Sequence, residues 1–434
     1  MIGMKHTKML FSLFALSGML FFTGCDDDDN GAPALTIQSI SASGTDLETG
    51  QTVQKDLNAA SAAEDVPLDA VMTVTFSSDV NASTATASNV SLTSASGTVP
   101  VTVSASGNTM TITPQQELER GTQYTLNLGN GISGANGGAF TATTRTFTSA
   151  GRGAVTPPQS ASQTAYFTFD GHADDAMGTY DADDVVDITW VADRFGQMES
   201  AAQFNGNTSI IEVPNGADLL TSDWTLSFWS WVDTVDHVNA DGNKAGHFIM
   251  GVGAFHGFQV ETNGRADVLI MAARYSKEDG TTIPNNFFVN ADGQDAANGG
   301  WDAIEVEANV AGGMRTLLAQ KWAHIVLTYN SEENKRSLYI NGQLMERDNL
   351  NIPTDLSTVN GLTFDPTGTA DVIGDKLAFG FPFDRSTTLW QNEPWGSYNL
   401  PTANHFKGAL DDVRFFEAAL SEAEVTALYN AERP

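Results

Sequence analysis

Few stretches restrict a fold as tightly as Gly408-Ala-Leu-Asp-Asp-Val-Arg-Phe-Phe416 and the Glu-Ala-Ala-Leu-Ser-Glu-Ala-Glu-Val-Thr-Ala-Leu-Tyr429 that follows it. The first part reads as a strand and the second as a short helix. Side chains alternate faces along a strand. Asp411, Val413 and Phe415 are therefore expected on one face, with Leu410, Asp412, Arg414 and Phe416 on the other. A carboxylate in line with Val413 and Phe415 faces a core, where it has to be paired, hydrogen-bonded or metal-bound. Ser421 is the expected N-cap, Glu424 its capping-box partner, and Leu420 and Val425 occupy the two staple positions. Val425, Leu428 and Tyr429 form an i, i+3, i+4 stripe. A closing strand thus hands over to a helix that docks on the same body.

Upstream, period-two segments recur. They fall at residues 165–170, 200–206, 209–214, 247–252, 257–262 and 268–274. Trp224–Val232 places Leu226, Phe228 and Val232 on one face and Trp229 and Trp231 on the other. Residues 321–329 pair with 336–340, and Asn341-Gly342 then predicts a tight type I′ turn. Together with Gly408-x-Leu-Asp-Asp-Val-Arg-x-Phe416 and Ala419-Leu-Ser-x-x-Glu-Val-x-x-Leu-Tyr429, these segments resemble the laminin-G-like, concanavalin A-like jelly-roll family of bacterial surface proteins. Further matching pieces are Phe204-x-Gly206, Trp322-x-His324-Ile and Leu338-Tyr-Ile-Asn-Gly342. The resemblance covers residues 163–433 and implies a β-sandwich whose first and last strands lie side by side. In such relatives, acids at the positions of Asp170 and Asp411 hold a structural calcium with backbone carbonyls. The competing expectation is a bond from Asp411 to an arginine or to the backbone.

The N-terminal part reads differently. Lys5, His6 and Lys8 precede an apolar run at residues 9–22. That run is shorter than the ~20 residues a membrane-spanning helix needs. It ends in Phe22-Thr-Gly-Cys25, which contains the chain's single cysteine and resembles a bacterial lipobox. The resemblance implies removal of residues 1–24 as a signal peptide and lipid on the Cys25 thiol, an anchor without a spanning helix. Residues 25–33 then form an acidic tether beginning Asp26-Asp-Asp-Asp-Asn30. That run resembles the export signal of Bacteroidota-type lipoproteins, which implies the outer face of the outer membrane. With one cysteine no intramolecular disulfide forms, so stability must come from packing or metal.

Residues 34–150 alternate in short segments separated by Gly, Asn and Ser, which predicts a small sandwich. Ala63-Glu-Asp-Val-Pro-Leu-Asp-Ala-Val71, Thr111-Ile-Thr-Pro114 and Leu118-Glu-Arg-Gly-Thr-Gln-Tyr124 resemble bacterial Ig-like domains of the SbsA-like group. The Gly121-x-x-Tyr124 placement is similar to the tyrosine corner of such sandwiches. No catalytic constellation stands out there, and the unit reads as a spacer. Residues 151–162 form a linker that Pro157-Pro158 partly stiffens. The expected fold class is therefore all-β: an Ig-like sandwich, then a jelly roll with a short C-terminal helix.

A net charge of −32 argues against nucleic acid, whose binding rests on neutralising phosphates. It suits a solvated surface or divalent cations. Two segments, residues 276–314 around Trp301 and residues 349–405, read as insertions into the minimal fold, and loops this long are commonly functional. The second offers flat aromatic faces in Trp390, Trp395 and Tyr398, with Asp384, Arg385, Gln391 and Asn392 nearby. Rings of this kind stack on sugar C–H surfaces while polar groups bond hydroxyls. The alternative is that they form the insertion's own core. His324, beside Trp322, reads as a structural, hydrogen-bonded histidine. A laminarinase-type Glu-x-Asp-x-x-Glu strand is missing, and Ile304-Glu-Val-Glu307 lacks its third acid. The expectation is a non-catalytic surface protein whose partner is a polysaccharide or surface glycan, touching the membrane only through its lipid. An adhesin for a protein or matrix partner is the alternative, and a glycoside hydrolase the third reading.

Overall fold

The structure, a computed structural model, describes residues 32–47, 50–59, 63–153, 155–239, 242–290, 304–306 and 310–434. The 1–24 segment, Cys25, Trp301 and Glu307 lie outside the described residues. Two β-sandwiches follow one another. In the first, Val71–Phe76 alternates as its sequence predicts, burying Met72, Val74 and Phe76. It sits in a five-stranded sheet that packs on a second five-stranded sheet around Ile40, Ile112, Leu126 and Phe147. The Tyr124 hydroxyl accepts the Glu119 amide at 2.9 Å, which pins the corner between strands.

The linker is docked rather than free. Gly121, at φ +53°, runs so close beneath it that a Cβ there would lie 2.1 Å from the Gly153 nitrogen. Only glycine suits both demands. Arg120 Nε meets Asp170 at 3.3 Å across the seam, and the Met198 amide donates to the Leu47 carbonyl at 2.8 Å. Val155 packs against the cluster beneath the C-terminal helix.

The second sandwich pairs a nine-stranded with an eight-stranded sheet. Leu226, Phe228, Ile325 and Leu410 from one interlock with Val213, Val260, Met271 and Phe379 from the other. The first strand, Gln163–Phe167, lies antiparallel to the last, Lys407–Phe416. Asn341 and Gly342 take φ of 52° and 75°, as a type I′ turn requires. Helix Glu422–Glu432 carries the predicted capping box between Ser421 and Glu424. It buries Val425 and Leu428 on Val326, Tyr339 and Phe416, a contact of roughly 1.5–3 kcal/mol per side chain. Among the described residues no helix is long and apolar enough to cross a membrane.

Two expectations are corrected. Asp411 does not share a face with Val413 and Phe415. The pairing with Trp224–Val232 slips between Ser227 and Trp229, and Asp412 sits at φ +46°. This β-bulge inserts one residue and flips what precedes it. Leu410 joins Val413 and Phe415 in the core, whereas Asp411 and Asp412 both turn toward the helix side with Arg414. Residues 349–405 are not simply an insertion either. Leu377–Phe379 is an inner strand of the eight-stranded sheet, between Ile210–Val213 and His247–Val252.

Candidate functional site

A groove of about 580 Å³ lies on the outer face of the eight-stranded sheet. Its floor follows from strand alternation. In Phe258–Thr262, Phe258 and Val260 face the core, so Gln259 and Glu261 face out. Register then aligns two cross-strand rows. One runs Phe248, Glu261, Ile270, Phe288, and the other runs Gln259, Ala272, Asn286. Ala272 keeps the middle of the floor low. One wall is built by residues 381–403: Trp390 stacks on Phe248 at 6.0 Å and 14°, and Trp395 lies 4.9 Å from Trp390. Phe255 packs on Trp390 at 5.9 Å. Phe288 is 54% exposed and Trp395 38%, so two apolar rings face water in a partly apolar trough.

The polar groups in the groove are not self-satisfied. Gln259 is 5% exposed, yet its Oε1 has no hydrogen-bond partner among the described residues. A buried carbonyl left unpaired costs about 1–3 kcal/mol, which a ligand hydroxyl would recover. Burial pushes the Glu261 carboxyl up to about 7, against a hydrogen bond from Gln259 that works the other way. Near neutral pH it therefore both donates and accepts. No lysine, arginine or histidine lines the groove among the described residues.

Of the residues the sequence singles out for sugar, Trp390 and Trp395 reach this groove. Tyr398 does not line it: its hydroxyl donates to the Thr208 carbonyl at 2.8 Å and its ring packs edge-on against Phe381. Asp384 is buried and holds a turn, accepting the Ser386 amide at 2.9 Å. Arg385 turns to Glu212, donating through its amide at 2.7 Å and through Nε at 3.0 Å, and also meets Asp184. Tyr398 and Arg385 therefore fasten the wall segment to its neighbours, and Asp384 shapes a turn within it. Gln259, Glu261, Asn285, Asn286, Phe248, Phe255 and Phe288 were not legible as a site. The period-two pattern of Phe258–Thr262 carried a partial signal, since it places Gln259 and Glu261 together on the solvent face.

Asp170 and Asp411 do not meet around a common ion. Asp170 pairs with Arg120, while Asp411 and Asp412 both pair with the fully buried Arg194. Arg152 from the linker also reaches Asp412, and the Tyr166 hydroxyl bonds the other oxygen of that carboxylate. Glu432 accepts Arg414 Nε at 2.8 Å and Trp229 Nε1 at 3.0 Å. Burial, with Asp412 alongside, raises the Asp411 pKa despite Arg194. Burial opposes the Asp412 charge too, but Arg194, Arg152 and Arg414 outweigh it and hold that group below the usual carboxylate range. Calcium wants several oxygen donors. Here guanidinium groups already supply the positive charge at Asp411 and Asp412, and among the described residues no cluster of three or more His, Cys, Asp or Glu is placed to hold a metal. The donor set fits an ion-pair network and not a calcium site. His324 is fully buried against Trp229 and Tyr429, with Nε2 2.8 Å from Ser227 Oγ.

Residues 48–149 match the bacterial Ig-like domain family. No curated protein matches the chain. Among solved structures it is similar to the binding domain of Paraclostridial mosquitocidal protein 1, at 17% identity and a TM-score of 0.40, over 62% of this chain and 52% of that one. It is similar to the botulinum neurotoxin type G receptor-binding domain at 14% identity and a TM-score of 0.35, over 62% and 51%. Domain 4 of AbnA, an extracellular arabinanase from Geobacillus stearothermophilus solved with arabinotriose, aligns at 16% identity and a TM-score of 0.34, over 62% and 98%. The chain spans about half the length of the two toxin binding domains.

Proposed function

We propose that this chain is a lipid-anchored surface protein whose jelly roll binds an uncharged glycan, without cleaving it, in the groove of the eight-stranded sheet. The observation that carries the reading is the pairing of exposed rings, Trp395 and Phe288, with the unpartnered Gln259 Oε1 in one trough. Flat rings match the C–H faces of a sugar, and an unpaired amide oxygen accepts one of its hydroxyls. Binding sites generally combine apolar walls with a few convergent polar groups. Glycoside hydrolysis uses a pair of carboxylates, whereas Glu261 is the one carboxylate lining this groove among the described residues. With no cation among the described residues that line it to meet a uronate or sulfate, the groove suits neutral sugars.

Affinity electrophoresis through gels containing neutral polysaccharides tests this. Trp395→Ala is expected to weaken retardation about tenfold, equivalent to ~1.4 kcal/mol. Because the ring is partly exposed, the melting temperature should stay nearly constant. Equal retardation of variant and parent, or no retardation of the parent in any neutral gel, would sink the reading.

Anchoring rests on the Phe22-Thr-Gly-Cys25 run after a short apolar segment. Cys25→Ala should abolish fatty-acid labelling and release the protein from membranes. A variant that still labels and sediments with membranes contradicts the anchor.

A further inference from the structure

The opposite face of the sandwich carries a second aromatic trough, of about 320 Å³, remote in the fold from the groove. Strand register builds it. Thr189 stands opposite Gln203, Gln203 opposite Ala409, Ala409 opposite Trp231, and Trp231 opposite Trp322. The row crosses the nine-stranded sheet perpendicular to its strands. Adjacent strands lie about 4.8 Å apart, so Gln203 to Trp322 spans roughly 14 Å. Gly408 and Ala409 give the floor almost no height, while Trp231 and Trp322 rise beside them edge-to-face at 6.2 Å and 74°.

Packing explains why these rings stay accessible. The C-terminal helix covers the preceding row: Tyr429 stacks on Trp229 and His324, and Glu432 bonds the Trp229 indole. The helix ends at Glu432, and the Trp231–Trp322 row, two residues further along both strands, is left half-buried. A lone exposed tryptophan is common enough. Two, side by side in register over a glycine-alanine floor, make a concave surface with a polar rim of Gln203, Asp193 and Asp233. The nearby cation is already engaged: Lys407 Nζ meets Asp233 at 3.2 Å and donates to the Val235 carbonyl at 2.6 Å. Aromatic faces, amide and carboxylate acceptors and no cation among the described residues that line the trough suit a ligand that offers hydroxyl donors and no negative charge.

We propose that the Trp231–Trp322 trough is a second binding site for uncharged saccharide, opening away from the first. The two sheets of a sandwich pack about 10 Å apart, face to face. Sites on their outer faces point in opposite directions and hold different chains, or distant segments of one chain. Two such sites convert modest affinities into avidity on a multivalent polysaccharide, and they let one protein bridge two strands of it.

Fluorine NMR of the full chain in detergent, labelled with 5-fluorotryptophan, reads the two sites separately. Trp231→Phe, Trp322→Phe, Trp390→Phe and Trp395→Phe assign the signals. The probes are cellohexaose, laminarihexaose, xylohexaose and arabinohexaose, with hexagalacturonate as the charged control. At least one neutral hexasaccharide is expected to shift the Trp231 and Trp322 signals saturably. Trp395→Ala should change that midpoint less than twofold, and hexagalacturonate should shift neither signal. If only the Trp390 and Trp395 signals move, the second site falls and the groove reading stands. If only the trough signals move, the groove reading falls and the trough stands. Silence of both with every neutral probe overturns both. Trough signals that move with protein concentration alone, together with a dimer mass in sedimentation, mark a self-association surface and overturn the saccharide assignment.

Discussion

Arg194→Ala is expected to cost the second sandwich about 3–5 kcal/mol, the usual effect of removing one partner from a buried charge network. The side chain is fully buried and is bonded at every nitrogen: to Asp411, to Asp412 and, through Nε at 2.8 Å, to the Glu432 carbonyl. Its guanidinium also lies 4.4 Å over the Trp229 ring. Arg194, Arg152 and Arg414 balance Asp411, Asp412 and Glu432. Without Arg194 two adjacent carboxylates share Arg152 and Arg414, and Asp411, already pushed up by burial, must protonate or draw in water. Arg385→Ala is the contrast. That side chain is 33% exposed and water can partly replace it, so its loss should cost clearly less than that of Arg194, although its partner Glu212 is buried. Urea unfolding followed by tryptophan fluorescence compares the two. If Arg194→Ala loses no more than Arg385→Ala, the network does not hold the closing strand in place.

That network shows where sequence reading succeeds and where it stops. The closing strand, its helix, the capping box and the type I′ turn are local, and each was readable from spacing. The pairing of first and last strands came through resemblance. The side-chain directions of Asp411 and Asp412 did not, because a bulge at Asp412 answers to the neighbouring strand and leaves the alternation of Val413 and Phe415 intact. Arg194 and Arg152 lie far off in sequence, so nothing local announces that they would meet those acids. The groove was half legible for a similar reason. Trp390 and Trp395 stand out in an aromatic-rich segment, but Gln259, Glu261 and Phe288 become a floor only once register aligns their strands. Tyr398, Asp384 and Arg385 have the right chemistry for sugar and are consumed in fastening or shaping the wall. Composition near a tryptophan cannot tell those uses apart.

Acid should loosen this protein in a window set by its buried histidines. Burial drives His237 and His405 down to about 4, and His247 and His324 down to about 3. The hydrogen-bond pattern is that of neutral rings. His247 Nδ1 accepts the Lys407 amide at 3.3 Å, so its proton is on Nε2, which donates to His237 Nδ1 at 3.3 Å. Protonating His247 would set two donors against each other. His405 donates Nε2 to the Tyr398 carbonyl, leaving Nδ1 without a partner, and His324 Nδ1 is likewise unpartnered among the described residues. In the unfolded chain each titrates near 6.5. A histidine whose folded pKa is depressed contributes its full stability above ~6.5 and loses it as pH falls toward the folded value. By pH 5 each should have given up about 2 kcal/mol. Glu261 works oppositely. Its folded pKa, raised by burial to about 7, returns some stability as pH falls from there toward 4.5. Asp411, Glu432, Asp170 and Asp193, also raised by burial, add in the same direction. The histidines each act at about 2 kcal/mol, while Arg120 and Arg194 hold back the rise at Asp170 and Asp411, so a net loss is expected between pH 7 and pH 5, seen by calorimetry as a falling melting temperature. His324→Gln should lower stability at pH 7 while flattening the slope below 6.5, because one proton-binding group of the unfolded state is gone. A melting temperature that holds or rises down to pH 5 would show that the carboxylates, not the histidines, govern its response to acid.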